Sequence, residues 1–287
     1  MKITDLIKRD RPGLSFEVFP PKTGDTLKNV MATALEIAEN KPTYMSVTYG
    51  AGGGTSEFTA EIGSALLKAG VTPLSHLTCV SSDRERVRSE LDKLRARGIE
   101  NVLALRGDVP QGFDRGKMVY RNAYELVREI KEYGGFCIGG ACYPETHPES
   151  ENSERDIEYL KIKVESGCEF LTTQMFFDNN ILYNFLYRLL KKGVDVPVVA
   201  GIMPVTNASQ IKRIMSISGS ALPQRFVRIV DRFGSDPEAM KQAGIAYATE
   251  QIIDLYANGV NAVHVYSMNK PDVARAIKQN LSEILKA

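Results

Sequence analysis

Residues 73–108 read PLSHLTCVSSDRERVRSELDKLRARGIENVLALRGD, and the hydrophobic period changes twice within them. Pro73 to Cys79 is a short apolar run of strand length. From Ser82 onward Val87, Leu91 and Leu94 recur at helical spacing, opened by a Ser82 and Glu85 capping box and closed on Gly98. A second strand, Val102 to Arg106, follows directly. Strand, helix and strand in this order form a βαβ unit, whose strands run parallel because the helix returns the chain to its starting edge.

The same alternation extends in both directions. The other strand-sized runs are Leu14 to Phe19, Tyr44 to Tyr49, Phe136 to Cys142, Phe170 to Phe176, Val196 to Met203 and Ala262 to Tyr266, which makes eight in all. Amphipathic segments separate them. Leu27, Val30, Met31, Ala34, Leu35 and Ala38 form one helical stripe, and a last helix starts at Pro271 and carries Val273, Ile277, Leu281 and Ile284 inward. Eight near-continuous apolar strands alternating with helices predict an α/β protein of the (β/α)8 TIM barrel class, one domain over residues 1–287. The one long connection, between strands seven and eight, predicts an extra helix from Pro223 to Arg232 and a new helix start at Asp236 and Pro237.

Of 287 residues, 43% are hydrophobic and 25% charged, with 36 Lys and Arg against 35 Asp and Glu for a formal charge of +1. That balance lacks the basic excess of a nucleic-acid binder. Apolar runs such as Val196 to Gly201 are far shorter than the ~20 residues of a membrane helix, which argues against a membrane partner. Charges at Asp5, Lys8, Arg9 and Asp10 leave no signal-peptide core, so a cytoplasmic protein is expected. Cys79, Cys137, Cys142 and Cys168 have no C-x-x-C spacing, and Cys137 and Cys142 should point to opposite faces of a strand. They are expected to be buried thiols, with no metal site.

In such barrels the chemistry gathers at the C-terminal strand ends. There this chain places Glu17, Thr48, His76, Arg106, Asp108, Tyr143, His147, Gln174 and Tyr266. Glu17, in SFEVFPPK, shares a strand face with Ser15 and Phe19, and desolvation there would raise its pKa and make it a proton donor; an inert ion pair with Lys22 is the alternative. In ALRGD, Gly107 would let backbone approach a ligand closely while Arg106 and Asp108 face different parts of it. The glycines from Gly50 to Gly54 are not followed by Gly-Lys-Ser/Thr, no G-x-G-x-x-G occurs, strand one has no H-x-H, and strand six has no Schiff-base lysine. Hydrogen-bonding groups, aromatics and two carboxylates suit a large planar heteroaromatic ligand better than a sugar phosphate.

SFEVFPPK, SVTYGAGGGT, SHLTC, ALRGD, ACYPETHPE, TTQMFFD, GIMPV and VYSMNK occur in this order, and the chain thereby resembles the methylenetetrahydrofolate reductase family over most of its length. The resemblance implies a barrel that binds FAD and reduces 5,10-methylenetetrahydrofolate to 5-methyltetrahydrofolate with NADH or NADPH, built like a bacterial catalytic domain. It implies Glu17 as the general acid that opens the methylene bridge to a 5-iminium cation. Asp108 is implied as the carboxylate beside flavin and pterin. Thr48, His76, Arg106, Gly107, Tyr143, His147, Asp156 and Lys163 match flavin-binding positions, and Gln174, Gln210, Tyr266 and Lys270 match substrate-side positions. Three departures stand out. Ile162 precedes Lys163 where relatives have two adjacent basic residues; Lys270 replaces an arginine at the glutamate end of the folate; and Ile214 stands in place of a phenylalanine that stacks on substrate. A homo-oligomer is also expected. Two other readings stay open: a flavin subunit of a larger electron-transfer complex, and a flavin-free pterin-binding methyltransferase barrel.

Overall fold

A computed structural model describes residues 1–7, 10–21, 23, 26–49, 56–109, 112–211, 214–215 and 221–286. Eight strands form a closed barrel in chain order, β1 (Gly13–Val18), β2 (Met45–Val47), β3 (Pro73–Thr78), β4 (Asn101–Leu105), β5 (Cys137–Cys142), β6 (Phe170–Thr173), β7 (Val198–Ile202) and β8 (Ala262–Val265). Every neighbouring pair is parallel, and β8 closes on β1 with Ser15 opposite His264. The chain is a (β/α)8 TIM barrel. Strands β2 and β6 stop short of the expected ends, so Thr48 and Gln174 sit just beyond them, in the loops that rim the barrel.

Alternation along each strand sorts side chains into two cores. Leu14, Phe16 and Val18, with Met45, Val47, Val102, Ile138 and Leu171, pack outward under helices α2 (Leu27–Ala38), α3 (Ser56–Lys68), α4 (Arg84–Ala96), α5 (Ala123–Tyr133), α6 (Ser153–Glu165) and α7 (Asn179–Lys191). Tyr44, Leu74, Leu103, Cys137, Phe170, Val199 and Ala262, one from each of seven neighbouring strand positions around the ring, meet in a second cluster. Residues drawn from all around a closed sheet can meet only inside it, so this cluster is the barrel floor. A short helix α1 (Ile3–Ile7), which the sequence pattern did not predict, plugs it with Ile3 and Leu6. All four cysteines are buried and free, with Cys137 in the floor and Cys142 in the outer core, on opposite faces as expected.

The long connection carries helix α8 (Gln224–Phe233), one residue later than expected at each end, and α9 (Pro237–Ala257), opened by Asp236 accepting from Glu238 and Ala239. Phe226 and Met240 from this excursion join Met203, Val205 and Phe177 in a third cluster above β6 and β7. Helix α10 (Pro271–Asn280) buries Val273 and Ile277 as expected but ends earlier than expected: Leu281 is its buried C-cap, and Ile284 lies in a separate 3-10 turn, Ile284–Lys286, and is only half-buried. Among the described residues no helix is long and apolar enough to cross a membrane. Inside the barrel, Gly201 is required for close approach: a Cβ there would lie 2.3 Å from the Thr173 carbonyl and 2.6 Å from the Tyr266 hydroxyl.

One helix boundary needs correction. Asp83, not Ser82, is the N-cap of α4, and its carboxylate accepts from the Arg86 amide at 2.8 Å. Ser82 instead ends the preceding turn, donating its amide to the Cys79 carbonyl, and is buried there. Replacing Asp83 by Ala should therefore cost about 1 kcal/mol of stability in urea unfolding. Conversion of Ser82 to Ala removes no cap hydrogen bond, and an equal or larger loss in that variant would restore Ser82 as the cap.

Candidate active site

Glu17 projects from the end of β1 into the barrel beside three polar side chains that the strands bring to the same level. Its Oε2 lies 3.4 Å from Ser46 Oγ on β2 and 3.6 Å from His76 Nε2 on β3. The Glu17 side chain is 16% exposed and that of His76 9%. Burial raises the Glu17 pKa to about 7, against the smaller and opposite effect that a hydrogen bond from Ser46 to the carboxylate form would have, and burial lowers that of His76 to about 3. The 3.6 Å contact is within ion-pair distance, yet near neutral pH the imidazole is uncharged, so it is not an ion pair there. His76 Nε2 has no hydrogen-bond partner among the described residues. Lys22, the alternative partner for Glu17, and the glycine run 50–54 lie outside the described residues.

His264, on β8, is a member of this group that sequence reasoning did not single out. It is 2% exposed, with Nδ1 2.8 Å from Ser15 Oγ and Nε2 2.9 Å from Ser46 Oγ. Burial lowers its pKa to about 3, and the nearby His76 acts in the same direction. Strand alternation does place Ser15, Ser46 and His264 inward, and that was the available signal. Tyr266 comes directly after the end of β8, its hydroxyl donating to the Thr173 carbonyl at 2.6 Å, with its pKa raised well above the usual value by burial.

A second group lines a cleft of about 410 Å³ at the ends of β4 and β5. Arg106, Gly107, Asp108, Tyr143, His147, Asp156 and Lys163 all border it; Thr48 and His76 do not. Gly107, at φ 85°, takes the left-handed conformation that turns the chain beyond β4. Asp108 is exposed. The Arg106 guanidinium grips Glu149 bidentately at 2.6 and 3.0 Å, and Arg115 reaches the same carboxylate at 3.3 Å. Hydrogen bonding to Arg106 pulls the Glu149 pKa down to about 2 despite partial burial. Glu149 was not anticipated, because in the sequence it is one more charge in a loop.

Asp156 holds that loop in place. Its carboxylate accepts from the His147 amide and from the Ser150 hydroxyl, each at 3.1 Å. His147 packs edge-on against Tyr143 with centroids 4.6 Å apart, and burial lowers its pKa. Lys163 donates to the Ala141 carbonyl at 2.6 Å, and burial lowers its pKa too. Gln174 hydrogen-bonds Tyr143 while its Oε1 accepts from the Met175 amide. The remaining candidates stand on the β7 to β8 side. Gln210 ends a 3-10 turn, Ala208–Gln210, and Lys270 donates to Thr206 Oγ1 at 2.7 Å. Ile214 is buried against Phe226 and Met203.

A family model, methylenetetrahydrofolate reductase, matches residues 2–282. The chain belongs to the methylenetetrahydrofolate reductase family. A 5,10-methylenetetrahydrofolate reductase of Escherichia coli K12 is 32% identical over 93% of the chain and 90% of its own length. The Arabidopsis thaliana methylenetetrahydrofolate reductase (NADH) 1 is 34% identical over 99% of the chain, which spans 51% of that relative's length. Among solved structures, a Clostridium thermocellum protein that binds two copies of 5-methyl-5,6,7,8-tetrahydrofolic acid superposes with a TM-score of 0.68 over 100% of this chain and 99% of its own, at 12% identity. At that identity the likeness is one of fold.

The raised pKa of Glu17 has a consequence for stability. Between its reference value of 4.5 and about 7 the folded state holds the proton more tightly than the unfolded chain does, so wild-type stability falls as pH rises through that window. Glu17→Gln escapes this loss. Relative to wild type it should gain about 3 kcal/mol in urea unfolding between pH 4 and pH 8. A pH-independent difference would mean that the carboxyl is solvated.

Proposed function

We propose that this chain reduces 5,10-methylenetetrahydrofolate to 5-methyltetrahydrofolate in the cytosol, with FAD as cofactor and NADH or NADPH as electron source. The observation that carries the reading is Glu17, a carboxyl inside the barrel whose pKa burial raises to about 7, in a family member whose separate cleft beyond β4 and β5 is bordered by the Arg106 guanidinium. The residues present suit a flavin dinucleotide. His76 Nε2 is a buried nitrogen without a partner among the described residues, the cleft is walled by Tyr143 and His147, and Arg106 and Lys163 border it, so that a diphosphate would compete with Glu149 for Arg106 and with the Ala141 carbonyl for Lys163. Thr48, at the β2 end, and Asp156, through the loop it holds, would complete the cradle. A bound flavin would supply the hydride for the methylene carbon and be reloaded by reduced nicotinamide.

The protein's own part is acid chemistry and electrostatics. Glu17, protonated in part at pH 7, would give its proton to the folate amine so that the methylene bridge opens. Asp108 would face the cation that results, where a fixed negative charge lowers its energy. Gln174, Gln210 and Tyr266 would orient the pterin side, and Lys270 would meet the glutamate carboxylates as a point charge. A homo-oligomer is part of the same proposal.

The test separates the two half-reactions. Reduction of the flavin by nicotinamide needs no acid, whereas opening the methylene bridge does. Glu17→Gln should still be reduced by the nicotinamide within about tenfold of the wild-type rate and should lose folate reduction by ~100-fold or more, followed by anaerobic stopped-flow flavin absorbance. Equal losses in both steps would indicate damage to the cofactor site, and undiminished folate reduction would end the acid assignment.

A further inference from the structure

Two hydroxyls and an imidazole connect Glu17 to the backbone inside the barrel, and their hydrogens can be assigned one by one. Ser15 Oγ lies 2.9 Å from the Val263 carbonyl and 2.8 Å from His264 Nδ1. Ser46 Oγ lies 2.9 Å from His264 Nε2 and 3.4 Å from Glu17 Oε2. Ser15, Ser46 and His264 are each 2% exposed or less, so bulk water is not an alternative partner.

A carbonyl can only accept, so the 2.9 Å contact to Val263 is a hydrogen bond only when Ser15 directs its single hydrogen there. Toward His264 it then offers a lone pair, and Nδ1 must carry the ring proton. The imidazole is neutral, with its pKa held near 3 by burial. Its Nε2 is therefore a bare acceptor and takes the Ser46 hydrogen, across the shorter of the two Ser46 contacts. What Ser46 then presents to Glu17 is a lone pair, which suits a carboxylic O–H and repels a carboxylate. The ring cannot easily turn out of this arrangement. Tyr44 stacks on it at 5.4 Å and 8°, and Tyr266 meets it edge-on at 5.5 Å and 90°.

We propose that Ser46, His264 and Ser15 form a one-way hydrogen-bond chain, anchored on the Val263 carbonyl, that fixes His264 as its Nδ1–H tautomer and holds Glu17 as a proton donor. The inference rests on the reading of Glu17 as the acid, and it makes His264 and the two serines positioning residues. The reverse polarity makes the opposite demand. If Ser46 gave its hydrogen to Glu17, it would favour the carboxylate, require Nε2–H on His264, and turn Ser15 away from Val263.

The polarity can be read without turnover. In histidine-15N-labelled protein, with the His264 signals identified by their loss in His264→Asn, the expected pattern from pH 5 to pH 9 is a protonated Nδ1 and a bare Nε2. An Nε2–H tautomer, or a doubly protonated ring, overturns the proposal. The second measurement is the 13C titration of the Glu17 carboxyl, identified by its absence in Glu17→Gln. Among the described residues the groups that face it are His76 from β3, Ser46 and Tyr44 at β2, and His264 and Tyr266 at β8; burial keeps both histidines uncharged and both tyrosines protonated through this range. Ser46→Ala removes an acceptor oriented on the carboxylic acid, so the midpoint should fall by about half a pH unit or more. A midpoint that rises or stays put shows that Ser46 was donating, or idle, and overturns the chain. Should Ser46→Ala fail to fold, the tautomer in the wild-type protein decides alone. The two readings fail separately: folate reduction that survives in Glu17→Gln removes the acid role and leaves the tautomer result standing, whereas Nε2–H removes the chain and leaves the acid role standing.

Discussion

Closure of the barrel along the seam of β1 and β8 is the constraint from which the site follows. It joins residues 250 positions apart. The pairing of Ser15 with His264 and of Phe16 with Val265 is reinforced beyond the ladder. Asn269 accepts from the Phe19 amide at 3.0 Å and donates to its carbonyl at 2.9 Å, while Ser267 donates to the Glu17 carbonyl and Tyr256 to that of Gly13. Met268 and Asn269 both adopt left-handed backbone, at φ 56° and 53°. That conformation is unfavourable for Met in particular, and the two backbone hydrogen bonds that Asn269 makes to Phe19 offset it. Were the seam open, Glu17 would lie on an edge strand in water and titrate like any surface carboxylate.

Desolvation acts oppositely on acids and bases, so one cause leaves the barrel interior close to uncharged at neutral pH. Glu17 rises to about 7 while His76 and His264 fall to about 3. The cleft beyond β4 and β5 follows the other rule. There Arg106 and Glu149 are close enough to sustain each other's charge, and Glu149 drops to about 2. A mobile proton and fixed charges are thus kept in different dielectric surroundings only a few strands apart.

The strands and their polar ends were legible in the sequence because period and position define them: residues 73–108 alone give the βαβ repeat, and Glu17, Arg106 and Tyr143 fall where a parallel barrel displays its chemistry. Local ambiguity explains the smaller errors. Ser82 and Asp83 are both good caps, and hydrogen-bond geometry had to choose between them; α1 has 5 residues, too few to show a period. The partners that tune the site were not legible. His264 looks like one inward residue of a short strand until Ser15 and Ser46 are placed beside it. Lys163, assigned to a diphosphate by resemblance, has its amine on the Ala141 carbonyl 22 residues away, a contact that no spacing rule reveals.

Barrels of this shape recur with unrelated chemistry. What individualises this chain lies inside the strands. Branched apolar residues commonly fill the layers of such a barrel, whereas above its apolar floor this one carries Ser15, Ser46, His76 and His264, together with the side-chain-free Gly201 under Tyr266. Buried polar groups destabilise unless paired, and Ser15, Ser46 and His264 answer that requirement among themselves. His76 does not: its Nε2 lies 3.6 Å from Glu17 without a hydrogen bond among the described residues, at a cost of ~1–3 kcal/mol for such a group. A ligand that supplies the missing partner recovers that energy in the bound state, so the unpaired nitrogen costs the free fold what a bound hydrogen-bond partner would return.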